Sequence, residues 1–234
     1  MRFVNSSERI IAALDLPGRE RVERFLDQLP ELRFVKVGME LFYAAGPTLV
    51  LSLKERGLKV FLDLKVHDIP NTAFGAIRSL SGLGSDFINV HCAGGLEMMK
   101  QAVRALKGGS QLIGVTQLTS IDQRALNEEL KIGGTVEESV LHYAQLAKRA
   151  GLAGVVCSPW EARAVKEKCG SDFLTITPGV RPQGSAGQDQ KRIMTPAEAV
   201  QAGSDYLVIG RPIVASADPR GAFLKIAEEI EAVA

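Results

Sequence analysis

Cysteine is scarce in this chain: Cys92, Cys157 and Cys169 are three among 234 residues, odd in number and irregular in spacing. That pattern speaks against a disulfide framework and against a zinc site, and it fits a reducing cytoplasm. No eighteen apolar residues follow one another, so no membrane-spanning helix is expected. The opening MRFVNSSERIIAALDL reaches Glu8 and Arg9 before any long apolar run, which does not read as a secretory leader. A soluble protein that is not exported is expected. An excess of either charge is missing too. Lys and Arg number 28 against 27 Asp and Glu, which leaves no basic stripe for nucleic acid but leaves a small neutral or anionic ligand open. Metal-ligand spacing is also lacking: His67 and Asp68 are adjacent, but no second histidine stands at ligand distance along the chain, so no metal is expected. No Pro/Ser linker or shift in composition divides the chain, and 46% of it is hydrophobic, so one domain over residues 1–234 is expected.

Short β-branched or apolar runs recur along the chain: RIIAALDL, RFVKVG, KVFLDLK, FINVHC, QLIGVTQLT, GVVCS, LTITPGV and YLVIGRPI. Between them lie segments such as Arg19 to Leu29, Leu96 to Leu106, Val136 to Ala150 and Pro219 to Ala232. Their apolar residues recur at three- and four-residue spacing, as on surface helices that cover a sheet. Alternating strands and helices give a parallel sheet. A doubly wound open sheet explains the alternation as well, but eight strands in this length favour a closed α/β (β/α)₈ TIM barrel.

In such a barrel the ligand-contacting residues sit at the C-terminal ends of the strands. The third run, FLDLKVHDIPNT, ends in charge: Asp63, Lys65 and then Asp68. Strand alternation puts Phe61, Asp63 and Lys65 on one side. Asp15 ends the first run and Lys36 lies in the second, which makes five charges on three successive strand ends. An ion-pair network sealing the barrel explains any single pair. Five such groups carry a desolvation penalty that apolar residues would avoid, so a ligand explains them better. A lysine between carboxylates is held as its ammonium, which suits it to give a proton to a developing carbanion rather than to form a Schiff base. The flanking aspartates would also repel a substrate carboxylate, which favours loss of CO₂.

After the seventh and eighth runs come TPGVRPQG and VIGRPI, with Arg181 and Arg211 each within two residues of a glycine. Glycine turns let backbone N–H groups approach an anion, guanidinium forks match phosphate oxygens, and barrels bind phosphate at these two strands. Gln190 lies in the polar stretch RPQGSAGQDQKR, which reads either as a lid drawn down by phosphate or as a tolerated insertion; its position after the seventh strand favours the lid.

With these motifs in view, the sequence resembles the orotidine 5′-phosphate decarboxylase family. The likeness runs through LDL, FVKVG, FLDLKVHDIPNT, VTQLTS, TPGVRPQG with DQKRIMTP, and VIGRPI. It implies that Lys65 protonates C6 of the pyrimidine as CO₂ leaves, without metal or organic cofactor. Asp63 would lie against the substrate carboxylate and hold Lys65, while Asp15 and Lys36 would bind the ribose hydroxyls. Thr119 would face the base, and Arg181, Gln190, Gly210 and Arg211 would hold the 5′-phosphate. The resemblance further implies a homodimer in which Asp68, Ile69 and Thr72 reach into the neighbouring subunit's site.

Two rival readings differ in class. A Mg²⁺-dependent sugar-phosphate decarboxylase or aldolase of the same barrel group shares the DxKxxD run, but carries an acid where Lys36 stands. A non-catalytic nucleotide-binding barrel would keep Arg181 and Arg211, with little use for the charged row. His91 and His142 read as structural histidines, Trp160 as packing a helix start, and Cys157 as buried filler.

Overall fold

The computed structural model describes residues 6–182 and 194–233. Eight parallel strands close into a barrel in sequence order: β1 (Ile10–Ala13), β2 (Phe34–Gly38), β3 (Lys59–Val66), β4 (Phe87–His91), β5 (Gln111–Val115), β6 (Gly154–Val156), β7 (Leu174–Pro178) and β8 (Tyr206–Ile209), with β8 pairing back onto β1. The expected (β/α)₈ barrel is therefore the fold, and closure leaves no sheet edge for another chain to extend.

The residue sequence dictates which way each strand faces. Side chains alternate in and out along a strand. Ile11 and Ala13 of β1 point into the barrel together with Phe34, Phe61, Phe87, Ile113, Ile176, Tyr206 and Val208. Their neighbours Ile10, Ala12, Val35, Val60, Leu62, Ile88 and Val90 face outward, into the larger core under the helices. Inside, the Phe87 ring centroid lies 5.2 Å from both Phe34 and Tyr206 and 6.0 Å from Phe61. These tilted and edge-on contacts fill the interior and make it a floor rather than a channel. The next inward positions along the same strands are Asp15, Lys36, Asp63, Asn89, Val115 and Pro178. The charges thus stand one layer above an aromatic plug.

The outer layer comprises α1 (Arg19–Asp27), α2 (Met39–Ala45), α3 (Pro47–Glu55), α4 (Pro70–Ser81), α5 (Gly95–Ala105), α6 (Val136–Ala150), α7 (Pro159–Cys169), α8 (Pro196–Gln201), the four-residue α9 (Arg211–Val214) and α10 (Pro219–Glu231). Capping boxes start three of them, from Thr135 with Glu138, Ser158 with Glu161 and Thr195 with Glu198. Gly46, at φ 69°, with Pro47 directly after it, breaks what would be one helix into α2 and α3. Trp160 does not pack the start of α7 as expected. As the second residue of that helix it points outward and is 60% exposed, while Pro159 and Glu161 on either side are buried. His142 is exposed on α6, and Cys157 is buried as expected. Among the described residues no helix is long and apolar enough to cross a membrane.

At Gly154 of β6 the neighbouring strand leaves no room for a side chain, since a Cβ there would run into the Leu174 carbonyl and Cβ. Gly154→Ala should therefore separate β6 from β7 and cost about 1–3 kcal/mol, as overpacking does. The check is the midpoint of urea unfolding, which should fall with an unchanged slope.

Candidate active site

The charged row comes from three adjacent strands, β1, β2 and β3. Lys36, in the middle of β2, is 8% exposed although it is a lysine, and its ammonium lies 3.3 Å from Asp63 Oδ2 and 3.3 Å from Asp15 Oδ1. Gly38 makes the room for it, because a Cβ at that position would come within 3.0 Å of Lys36 Nζ. Lys65 Nζ donates to Asp63 Oδ1 at 2.7 Å. The result is an alternating sequence of acid, base, acid, base: Asp15, Lys36, Asp63, Lys65. Asp15 forms the solvent-facing end, and Asp63 is the deepest carboxylate.

Burial alone would raise the pKa of Asp63. The ammonium groups of Lys36 and Lys65, with hydrogen bonds from Lys65 and Asn89, outweigh it and hold the carboxyl below its ordinary value. Asp63 is thus ionised at neutral pH, largely buried and bonded by donors from three side chains. His91, two residues beyond Asn89 on β4, lies 5.4 Å from His67 ring to ring. Burial, with the nearby His67 and Lys65, lowers its pKa, so it adds no positive charge to the row at neutral pH.

Simple strand alternation does not fully describe β3. Its pairing with β4 runs Phe61 to Phe87 and Leu62 to Ile88, then jumps to Val66 against Val90. Within this irregularity Lys65 takes φ 52°, left-handed backbone that a residue with a side chain seldom adopts. The sequence carries no glycine or asparagine there to announce the turn.

A cavity of about 250 Å³ opens beside the row. Lys36, Asp63 and Lys65 form its charged wall, Phe61, Val115, Val156, Pro178 and Val208 its apolar floor and far side, and Leu118, Thr119 and Ser120 after β5 its rim. Thr119, which the resemblance expects to face the base, is one of the cavity-lining residues. Gln117, which the sequence reading passed over, also lines the cavity and is fixed by donating to Ser139 Oγ at 2.9 Å.

Of the five charges expected together, the fold gathers four. Asp68 lies beyond the end of β3, exposed, with its carboxylate accepting the N–H of Ile69 at 2.7 Å. Ile69 (67% exposed) and Thr72 face solvent beside it. Within one chain, then, Asp68 is not part of a buried row. Arg181 follows β7, where its N–H bonds the Met194 carbonyl at 2.9 Å, and Arg211 opens α9 directly after Gly210 at the end of β8. Gly210 stands against the first strand: a Cβ there would lie 3.5 Å from Asp15 Oδ2. The two arginine turns thus follow β7 and β8, with Asp15 standing between the Gly210 turn and Lys36. Gln190 lies outside the described residues.

A parallel barrel with a largely buried carboxylate between two ammonium groups, beside a cavity at the strand ends, fits a barrel enzyme acting on a small ligand. The chain belongs to the orotidine 5′-phosphate decarboxylase / HUMPS family, whose model matches residues 8–226. It is 52% identical over 221 residues to the orotidine 5′-phosphate decarboxylases of Staphylococcus saprophyticus and Staphylococcus aureus, covering 93% of this chain and 96% of theirs. Among solved structures it is similar to the orotidine 5′-phosphate decarboxylase of Lactobacillus acidophilus, with 41% identity, a TM-score of 0.84 and coverage of 94% and 98% of the two chains. A conserved protein from Geobacillus kaustophilus gives 46% identity and a TM-score of 0.83, with coverage of 94% and 99%.

The depressed pKa of Asp63 gives a stability signature. A carboxyl held below its unfolded pKa stabilises the fold at all pH above the ordinary carboxylate range, about pH 4, and this stabilisation is lost as pH falls through the lower folded value. Asp63→Asn also leaves Lys65 without its carboxylate partner and Lys36 with Asp15 alone. Urea midpoints should therefore be lower for Asp63→Asn than for the unaltered protein by a constant margin from pH 7 down to about pH 4, and the margin should shrink below that.

Proposed function

We propose that this chain is an orotidine 5′-phosphate decarboxylase, converting orotidine 5′-monophosphate to UMP and CO₂, and that Lys65 supplies the proton that replaces the carboxylate at C6. The observation that carries this reading is the Asp63 carboxylate, which bonds Lys65 Nζ at 2.7 Å while both line a cavity of about 250 Å³. With the base in that cavity, the C6–carboxylate bond breaks and its electron pair stays on C6. The Lys65 ammonium then gives a proton to C6 and recovers one from water. Thr119 on the rim addresses the base. Asp15 and Lys36 bind the ribose hydroxyls, and Arg181, Gly210, Arg211 and Gln190 take the 5′-phosphate.

Magnitudes indicate how the two charges share the task. Asp63 against a substrate carboxylate at about 4 Å is worth on the order of 4 kcal/mol of repulsion at an effective dielectric near 20, and Lys36 and Lys65 offset part of it. Enzymes lower barriers by roughly 8–23 kcal/mol. Repulsion alone falls short, so most of the effect is assigned to the ammonium next to the developing carbanion, with phosphate binding at the far side of the mouth holding the base against it.

Work without metal is favoured by Lys36. Its ammonium already occupies the space between Asp15 and Asp63, 3.3 Å from each, where a divalent cation would need both carboxylates. A homodimer is favoured by the segment after β3. Asp68, Ile69 and Thr72 are exposed next to a site that their own chain's Asp68 does not enter, as expected if they complete the site of a second copy. The three buried cysteines agree with a cytoplasmic setting.

Incubation with orotidine 5′-monophosphate should abolish the orotate absorbance, and EDTA should leave the rate unchanged. Lys65→Ala should lower kcat by at least about 10⁴-fold, the upper range for loss of a general acid, while isothermal titration with UMP shows binding retained. Near-normal turnover by that variant would remove Lys65 from the proton-donor role.

A further inference from the structure

We propose that Asn89 is the positioning residue of the site: its side-chain amide sets the rotation of the Asp63 carboxylate and holds the Lys65 backbone in the conformation that aims the ammonium. The proposal rests on the decarboxylase reading above and assigns a role to a residue that the sequence motifs do not single out.

The geometry begins with the break between β3 and β4. From Leu62 to Val66 the third strand advances four residues, while its partner advances two, from Ile88 to Val90. Asn89 is the β4 residue inside that gap, and it is fully buried. The slack in β3 costs Lys65 N–H its place in the ladder, and an unpaired buried N–H is expensive. Asn89 Oδ1 accepts that N–H at 2.7 Å. Its Nδ2 donates to Asp63 Oδ1, also at 2.7 Å. Only this orientation of the amide satisfies both contacts, since the flipped one would set oxygen against the carboxylate and nitrogen against the N–H.

One side chain therefore bonds both members of the pair, and bonds them differently. On Asp63 it saturates Oδ1, which also takes the Lys65 ammonium, and so leaves Oδ2 for Lys36. To the two ammonium groups the amide adds a neutral, directional donor from a rigid strand, which narrows the rotation the carboxylate can take. On Lys65 it accepts from the N–H of a residue at φ 52°, conformationally costly without compensation. Relaxing Lys65 to ordinary strand geometry would re-aim its Cα–Cβ bond and carry Nζ away from Asp63. The other titratable groups around Asp63 are Lys36 from β2, itself paired with Asp15, Lys65 from β3, and His91 from β4, which packs on His67.

Two variants test this. Asn89→Asp is isosteric and keeps the acceptor for Lys65, but turns an oxygen toward Asp63; Asn89→Ala removes both contacts without adding charge. Both should lose about 100-fold in kcat at neutral pH, the scale of small misplacements at a reacting centre, while UMP affinity and the circular dichroism spectrum stay those of the unaltered protein. Two adjoining carboxyls share one proton, so as pH is lowered the introduced carboxyl of Asn89→Asp should become a donor and its kcat relative to the unaltered protein should rise. For Asn89→Ala, Asp63 loses a donor, and the acid limb of its pH profile should move to higher pH. Unaltered kcat in either folded variant would overturn the proposal, as would loss of UMP affinity in step with kcat. If the unaltered protein itself fails to decarboxylate orotidine 5′-monophosphate, it is the functional reading that falls.

Discussion

Two ammonium groups and one carboxylate meet at the mouth of this barrel with little water between them, and the site depends on that carboxylate staying charged. Asp63 does so because Lys36, Lys65 and Asn89 together outweigh the cost of its burial. Remove it and Lys36 keeps only Asp15 while Lys65 has no carboxylate; protonate it and the Lys65 ammonium loses its counter-charge. Much of the surrounding structure can be understood as what this cluster requires. The aromatic plug of Phe34, Phe61, Phe87 and Tyr206 fills the layer below. Gly38 leaves space for the Lys36 ammonium, and the irregular β3 turns Lys65 back toward its partner.

The division of the mouth follows from barrel order. Lysines come from β2 and β3, while both arginine turns come from β7 and β8, with Asp15 of the first strand next to Gly210. In the proposed reaction a nucleotide would span that divide, base toward the lysines and phosphate toward the arginines. Binding energy collected at the phosphate is then used at a carbon on the opposite side, which is how a small cavity can hold an anionic base against an anionic side chain.

Much of this was legible in the sequence because strand direction is a period-two property. Once Phe61 is taken as inward, Asp63 must be inward as well, and the same parity from Phe34 gives Lys36. The eight runs sufficed for the barrel. The same rule applied to FINVH would have pointed to Asn89, two residues after the inward Phe87, but a neutral amide among charges drew no notice. Other features have no local signature. The left-handed Lys65 stands where no glycine marks it, and its conformation is held by a partner 24 residues away. Trp160 sits after a strong helix start that says nothing about which way its ring faces. Asp68 shares the run of Asp63 and Lys65, yet β3 ends before it, so within one chain adjacency in sequence misleads. The segment holding Gln190 lies outside the described residues.

The central claim is that the Asp63-bound ammonium of Lys65 exchanges its proton with C6, and it can be tested without the carboxylate. By microscopic reversibility, a group that delivers a proton to C6 must also remove it from the product. UMP held with the protein in D₂O and followed by proton NMR should exchange its C6 hydrogen for deuterium, and Lys65→Met should abolish the exchange while still binding UMP. Undiminished exchange in that variant would contradict the account.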